Sequence, residues 1–375
     1  MTLHIFNPEH DIALASNLSN FTAPHAGRQL RHDLGFLPAI WASAGDVVLV
    51  DDEEQAQHAW KRLAHQLKTD AAGPAFVTAN AGLHTIETQH FFCVEPWGWD
   101  MALRAFLIRK GMDESLLPSV EAFEEIRQLS HRRVAAHLLP KLRVEGTLGE
   151  AVESCSWEEV KSLAVRYERL VLKAPWSSSG RGLRFLDVSR KSNDGTLLNE
   201  KGVQGWFNNL LAKQGSVMAE PYYHKVKDFG MEFDSDGKGQ VTYLGLSLFH
   251  TENGAYTGNV LATEAYKQEV ITRYVSTDLL CSVRDIILHQ LGKELSGKYS
   301  GPFGVDMMVC AAQDNHRFLL HPCVEINLRR TMGHVALAAE RRLNPTNDDE
   351  IRHVMTIDYS DGHYKLLLNQ YKLNS

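Results

Sequence analysis

Cysteine is scarce: among 375 residues there are five, Cys93, Cys155, Cys281, Cys310 and Cys323, and no two form a C-x-x-C pair. An odd number without that spacing speaks against a disulfide framework or a structural zinc site and fits a reducing compartment. Positive charge is not in excess either. The formal net charge is −7, so nucleic acid and anionic membrane surfaces, which both want a basic face, are not expected partners. No apolar run approaches the roughly 18 residues of a membrane span. The opening MTLHIFNPEHDIALA lacks the basic segment and long apolar core of a secretory signal, and the expected location is the cytoplasm. Internal repeats and low-complexity tracts are missing. So is H-E-x-x-H, which argues against a zinc hydrolase, and no serine or cysteine triad can be assembled.

What remains is an ordinary globular composition, 44% hydrophobic and 23% charged, with length enough for two or three domains. LHIFN, DVVLVDD and PAFVTA read as short strands. EEQAQHAWKRLAHQLK, between the last two, reads as an amphipathic helix. Strand, helix, strand is the signature of a parallel α/β unit. Further on, Ser119, Ser130 and Ser156 each stand where a helix N-cap is expected, and Glu121 suits the positive end of the first of those helices. RLVLKAP, GLRFLDV, SVMAEPYY, VTYLGLSLFH, FGVDMMVC and FLLHPCVEINL then read as strands, with helical stretches at 265–293 and in HVALAAERRL. The middle and end are expected to be α+β with antiparallel hairpins.

The stretch VLKAPWSSSGRGLRF (171–185) places a lysine ahead of three serines and two glycines. It admits two readings. One is a plain turn after a solvated strand-end lysine. The other is a phosphate cradle, in which glycines let backbone N–H groups and hydroxyls approach an anion. A Walker loop is excluded because no Lys-Ser/Thr follows the last glycine, and Gly180 and Gly182 supply only half of a dinucleotide fingerprint. The DFG at 228–230 has no H-R-D catalytic loop before it, so a protein kinase does not fit. In the remaining arrangement Lys173 reaches the phosphates of a nucleotide beneath a hairpin.

Two later segments, GPFGVDMMVC (301–310) and LLHPCVEINLRR (319–330), read as strands joined by a turn. Alternation puts Glu325 and Asn327 on one face. A turn centred near Asn315 and His316 sets Asp306 across from Glu325, with Cβ atoms about 4.5–5.5 Å apart. Three oxygen-bearing side chains then converge, a set suited to Mg²⁺. A one-residue slip would undo it.

Taken in order, these pieces resemble the ATP-grasp superfamily over roughly residues 120–335. VLKAPWSSSGRGL resembles the family's strand lysine and lid loop, SVMAEPYY its hinge strand, and GPFGVDMMV and VEINLRR its two metal-binding strands. The resemblance implies an ATP-grasp fold of mixed α/β and α+β class. A parallel α/β domain (1–115) would precede a lid subdomain (116–220) and an antiparallel-sheet subdomain (221–375), the last two sandwiching the nucleotide. It implies nucleotide contacts from Lys173, Ser177, Ser178, Ser179, Gly180, Arg181 and Gly182, from Glu220 and Tyr222 at the hinge, and from Asp228 near the ribose. It implies one or two Mg²⁺, or Mn²⁺, on Asp306, Glu325 and Asn327. It implies Lys173 and Arg329 or Arg330 as the catalytic cations. The family's lysine before the lid is replaced by Arg132 or Arg133, and the arginine that its ligases often carry two positions before the metal-binding aspartate is Gly304 here. The activity implied is an ATP-dependent carboxylate–amine (or thiol) ligase proceeding through an acyl phosphate. A small-molecule kinase on the same fold and a nucleotide-binding module without chemistry stay open. Expected partners are small-molecule or peptide acids and amines, with a homodimer left open. Substrate residues are sought in NPEHDIALA (7–15), TAPHAGRQLRHD (22–33) and FHTENGAYTGN (249–259), each of which also reads as a polar loop or plain hairpin.

Overall fold

Strands β1 (Thr2–Ile5), β2 (Val47–Leu49), β3 (Ala75–Val77) and β4 (Cys93–Pro96) form a parallel sheet in the order β3-β2-β1-β4. The computed structural model describes residues 1–69, 72–79, 91, 93–177, 182–187, 200–252, 255–312, 317–344 and 351–372. Helices α1 (His10–Ser16) and α2 (His25–Leu34) follow β1. The crossover helix expected between β2 and β3 is α3 (Glu53–Gln66), opened by the Asp52 carboxylate accepting from the Gln55 N–H at 2.9 Å. β4, which alternation did not reveal, returns to the far side of β1 and leads into α4 (Met101–Arg109). The strand order therefore reverses beside β1, the place where open parallel sheets form a crevice at their carboxyl ends.

Helix α5 (Val120–Leu129) starts at Ser119, whose hydroxyl accepts from the Ala122 N–H. Ser130 corrects an expectation. Rather than capping α6 (Arg133–Leu138), it donates to the Ile126 carbonyl at 2.7 Å, and α6 has no side-chain cap. The Ile126 carbonyl also accepts from the Ser130 N–H at 2.9 Å, so the hydroxyl bonds back onto its own helix, a common alternative to capping the next one. Next come β5 (Val152–Ser154), α7 (Trp157–Tyr167) with Ser156 as its cap, β6 (Arg169–Lys173), β7 (Leu183–Asp187), α8 (Glu200–Gln214) and β8 (Val217–Pro221). Their strands make an antiparallel sheet ordered β5-β8-β6-β7.

The remaining strands are β9 (Lys225–Ser235), β10 (Val241–Ser247), β11 (Phe249–Glu252), β12 (Ala255–Leu261), β13 (Gly301–Ala311), β14 (Phe318–Asn327), β15 (Ile351–Ser360) and β16 (His363–Lys372). They form two antiparallel sheets, β10-β9-β13-β14 and β11-β12-β15-β16. The stretch expected as one strand at 241–250 divides into β10 and β11. The helical stretch at 265–293 is two helices, α9 (Glu264–Thr272) and α10 (Thr277–Leu295), and α11 (Met332–Leu343) covers HVALAAERRL.

Period-two alternation in β13 decides where the site lies. Phe303, Val305, Met307 and Val309 are all buried, in a core shared with Phe229 and Phe233 of β9 and with Val283, Ile287 and Leu291 of α10. Each such side chain contributes about 1.5–3 kcal/mol. The Phe233 and Phe303 rings stack with centroids 5.3 Å apart. Asp306 is left to the opposite face. Among the described residues no helix is long and apolar enough to cross a membrane.

Candidate functional site

The register of β13 and β14 pairs Asp306 with Glu325 and Gly304 with Asn327, as the alternation predicts. The route to it is not regular. The pairs near the turn, from Ala311–Phe318 to Met308–His321, would by simple continuation put Asp306 opposite Cys323. Three residues of β14 separate His321 from Glu325 where one residue of β13 separates Met308 from Asp306. This bulge carries Glu325 into place. The turn residues Asn315 and His316 lie outside the described residues.

The Asn327 amide donates to Asp306 Oδ2 at 3.0 Å. Burial and the adjacent Glu325 carboxylate push the Asp306 carboxyl up to about 7. Two acids and an amide oxygen on one partly buried face make a donor set that a hard cation would satisfy. Among the described residues no group of three or more His, Cys, Asp and Glu side chains is arranged to hold an ion. An ion here would therefore rely on Asn327 and draw further oxygens from outside the chain.

Lys173, at the end of β6, is buried, and its Nζ lies 2.5 Å from Glu220 Oε2 on β8. The charges of Lys173, Glu220, Asp306 and Glu325 all act on the buried Cys323 thiol, which burial and the neighbouring carboxylates push up. Lys173 and burial together hold His321, on the same strand, down at about 3. Lys173 and the acids of β13 and β14, far apart in sequence, thus share one electrostatic neighbourhood.

Of the two arginines before the lid, Arg132 turns inward. Its guanidinium donates to the Ala174 carbonyl, to Ser177 Oγ at 2.8 Å and to Glu325 Oε1 at 2.7 Å. It ties the base of the serine loop to β14. Arg133 faces Glu153 at 3.6 Å. Of the loop, Ser177 and Gly182 are described, whereas Ser178, Ser179, Gly180 and Arg181 lie outside the described residues. Gly182 closes the hairpin by accepting from the Ala174 N–H at 2.8 Å. A Cβ built there would collide with Ser177 and stand 2.9 Å from that of Ala174.

The arginine pair after β14 also divides. Arg329 grips Asp11 of α1 with two hydrogen bonds of 2.8 Å and donates to Asn327 Oδ1 at 3.1 Å. Burial alone would raise the Asp11 carboxyl, but the Arg329 pair outweighs it and holds the group low. Arg330 reaches Glu95 at 3.2 Å and lies over Trp41, 4.6 Å from its ring centroid. Asp228 is tied to Lys225 at 2.5 Å and to the Thr251 hydroxyl at 2.9 Å. The Tyr222 ring stands under the Arg169 guanidinium, 3.9 Å from its carbon.

Sequence reasoning passed over Glu232. On β9, opposite Gly304, it accepts from the Thr331 hydroxyl at 2.8 Å and lies 3.0 Å from His334 Nδ1. Burial, with Asp306 nearby, pushes it up to about 8. A Cβ on Gly304 would lie 2.7 Å from Glu232 Oε2, and one on Gly333 would overlap the same carboxyl. A side chain at position 304 would therefore require the Glu232 carboxyl and the Thr331 methyl to shift. An acid in the run FGMEFD was the available signal. The segment 249–259 forms the β11–β12 hairpin, in which Tyr256 donates to Asn259 Oδ1 at 2.5 Å and Gly258 lies tight against the β15 backbone. Gly254 lies outside the described residues.

No family model and no curated protein matches the chain. Solved structures do. An N5-carboxyaminoimidazole synthetase from Staphylococcus aureus complexed with ADP aligns at 12% identity over 100% of this chain and 93% of that chain, with a TM-score of 0.52. A biotin carboxylase from Campylobacter jejuni aligns at 16% identity over 95% and 75%, TM-score 0.47. A putative ATP-grasp superfamily protein from Archaeoglobus fulgidus aligns at 13% identity over 100% of each chain, TM-score 0.46. The first of these likenesses spans all of the present sheets, and with it the architecture that the ordered motifs resemble is accounted for: the chain has the ATP-grasp fold.

Proposed function

We propose that this chain is an ATP- and Mg²⁺-dependent ligase that activates a carboxylate as an acyl phosphate and couples it to an amine or thiol, releasing ADP and phosphate. The observation that carries the reading is the bulged register that sets Asp306 across from Glu325 and within reach of Asn327. In this reading Asp306, Glu325 and Asn327 hold the ion, which supplies charge neutralisation on the phosphates. Lys173, Arg132 and the serine loop take phosphate oxygens, Glu220 and the strand after it form the hinge, and Arg329 faces the transferring group. The three domains are those bounded at residues 115 and 220. A substrate carboxylate oxygen attacks the γ-phosphorus and ADP leaves. The acceptor then attacks the acyl carbon and phosphate leaves. Positioning and fixed cations suffice, so no side-chain nucleophile is needed.

The test is a coupled reaction with an ¹⁸O-labelled acid. One labelled oxygen must appear in the released phosphate, because that oxygen formed the bond to phosphorus. Unlabelled phosphate from a verified coupling overturns the acyl-phosphate route. A stable phosphorylated small molecule makes the chain a kinase. Nucleotide binding without either product makes it a binding module.

A further inference from the structure

A cavity of about 330 Å³ opens at the carboxyl ends of the parallel strands, beside the strand-order reversal at β1. That volume is in the range of small-molecule sites. Its walls are apolar, with Phe6, Phe21, Leu49, Leu103 and Phe106 among them. Two sets of its polar groups are open to a ligand. The first is Glu9, which is buried. Its Oε1 is 2.5 Å from Arg31, while its Oε2 is buried without a hydrogen-bond partner. A buried acceptor left open is costly, and a ligand donor would relieve it. Burial raises this carboxyl even with Arg31 beside it. The second is a set of cations at the lining, Arg28, Arg109 and Lys110, none of which has an ion pair among the described residues. The other acids at the cavity are engaged. Asp100 accepts from the Leu103 N–H and from Asn7, and Asp51 faces Arg31 at 3.6 Å.

Helix α1 separates this cavity from the candidate site. Glu9 and Ala13 face the cavity. His10, Asp11 and Leu14 line a small cleft with Ser177, Glu325 and Asn327. Asp11 is the residue gripped by Arg329. A ligand in the cavity thus lies one short helix away from the metal strands.

We propose that this cavity binds a small molecule with an apolar body, one anionic group and one N–H or O–H donor, the combination an apolar amino acid carries, and that this is the non-nucleotide substrate. The word substrate rests on the ligase reading above, while the binding site does not. The anionic group meets Arg28, Arg109 and Lys110. The donor meets Glu9 Oε2. The body lies among the phenylalanines.

Calorimetry without nucleotide tests it with four probes. L-Phenylalanine carries all three features, 3-phenylpropionate lacks the donor, phenethylamine lacks the anion, and O-phospho-L-tyrosine adds a phosphate anion. L-Phenylalanine should bind at millimolar concentration or better, with each single-feature probe roughly tenfold weaker or worse. O-Phospho-L-tyrosine binding more tightly than L-phenylalanine assigns the anion as phosphate, and the reverse assigns it as carboxylate. Glu9→Gln should weaken L-phenylalanine and leave 3-phenylpropionate unchanged, whereas Arg109→Ala with Lys110→Ala should weaken both. The ATP–Mg²⁺ melting shift, measured on every variant, shows that it is folded. No heat from any probe, with that shift intact, overturns the proposal and leaves the ligase reading standing. So does binding that ignores both sets of substitutions. Binding of L-phenylalanine by a protein that ignores ATP–Mg²⁺ sinks the ligase reading and keeps the site.

Discussion

In the parallel sheet the strands are three or four residues long, and the polar side chains at its cavity stand beyond the strand ends: Asn7, Glu9 and Asp100. In the antiparallel sheet β9 and β13 each run to eleven residues, and their polar side chains stand on the strand face: Glu232 and Asp306. The difference follows from hydrogen-bond geometry. Buried parallel strands spend both faces on packing, so chemistry gathers at their carboxyl edges. An antiparallel sheet can devote one face to the core and the other to a ligand. The first arrangement tolerates change in its loops, whereas the second fixes its site through register.

Substitutions that separate the two should do so in order of size. Lys173→Ala, at the end of β6 beside Glu220, should lower the coupled rate about 10²–10³-fold, the effect of losing one preorganised electrostatic contact. Steady-state ADP release measures it, and a rate within a few-fold of wild type would remove Lys173 from the chemistry. Gly333→Ala drives a methyl into the Glu232 carboxyl and should cost about 1–3 kcal/mol of stability by overpacking. Urea denaturation reads this, and no loss would mean that the Glu232 carboxyl moves freely. Glu325→Gln should raise the Mg²⁺ concentration needed for half-maximal activity roughly tenfold, a typical penalty for disturbing a metal site, while the melting temperature stays near wild type.

Glu232 offers a sharper probe through pH. Its folded value of about 8 stands above the ordinary 4.5. The folded state therefore holds a proton that the unfolded state has released, and stability from this group falls as pH rises from about 4.5 to about 8. Glu232→Gln has no such proton. The melting-temperature difference between variant and wild type should therefore move in the variant's favour from pH 6.5 to pH 8. The neutral histidines His131 and His321, held near 3 and away from Glu232, act in the opposite direction below about 6.5 in both proteins and cancel in the comparison. His334, in contrast, touches Glu232, so the comparison is read between pH 6.5 and 8, above its titration range. A pH-independent difference would show that Glu232 is ionised throughout. Ser119→Ala comes next, worth about 1 kcal/mol as a lost N-cap. Ser130→Ala should cost less, because its hydroxyl serves the Ile126 carbonyl rather than an orphan N–H. Equal losses would restore Ser130 as a cap.

Local periodicity was enough to place Lys173 at the end of a strand, to assign β13 and β14, and to put Glu325 and Asn327 on one face. These are properties of short stretches whose side chains alternate whatever lies around them. Periodicity gave no sign of β4, β9 or the β15–β16 hairpin. It also misjudged Ser130, whose hydroxyl turns back to a carbonyl of the preceding helix instead of meeting an N–H of the next.

The sequence alone determined the order of the motifs, the residue types available to a phosphate and a cation, and the absence of competing nucleotide signatures. The tertiary structure decided which member of each arginine pair faces the site. Arg132 meets Glu325 while Arg133 meets Glu153, and Arg329 meets Asp11 while Arg330 meets Glu95. It also decided that a bulge in β14, rather than a regular ladder, carries Glu325 to Asp306, and that Glu232 fills the space above Gly304. Neighbouring residues in a chain differ little in pattern but point in different directions. Only the elements packed against them determine which direction is buried, which charge is met there and how far a carboxyl is pushed from its ordinary range.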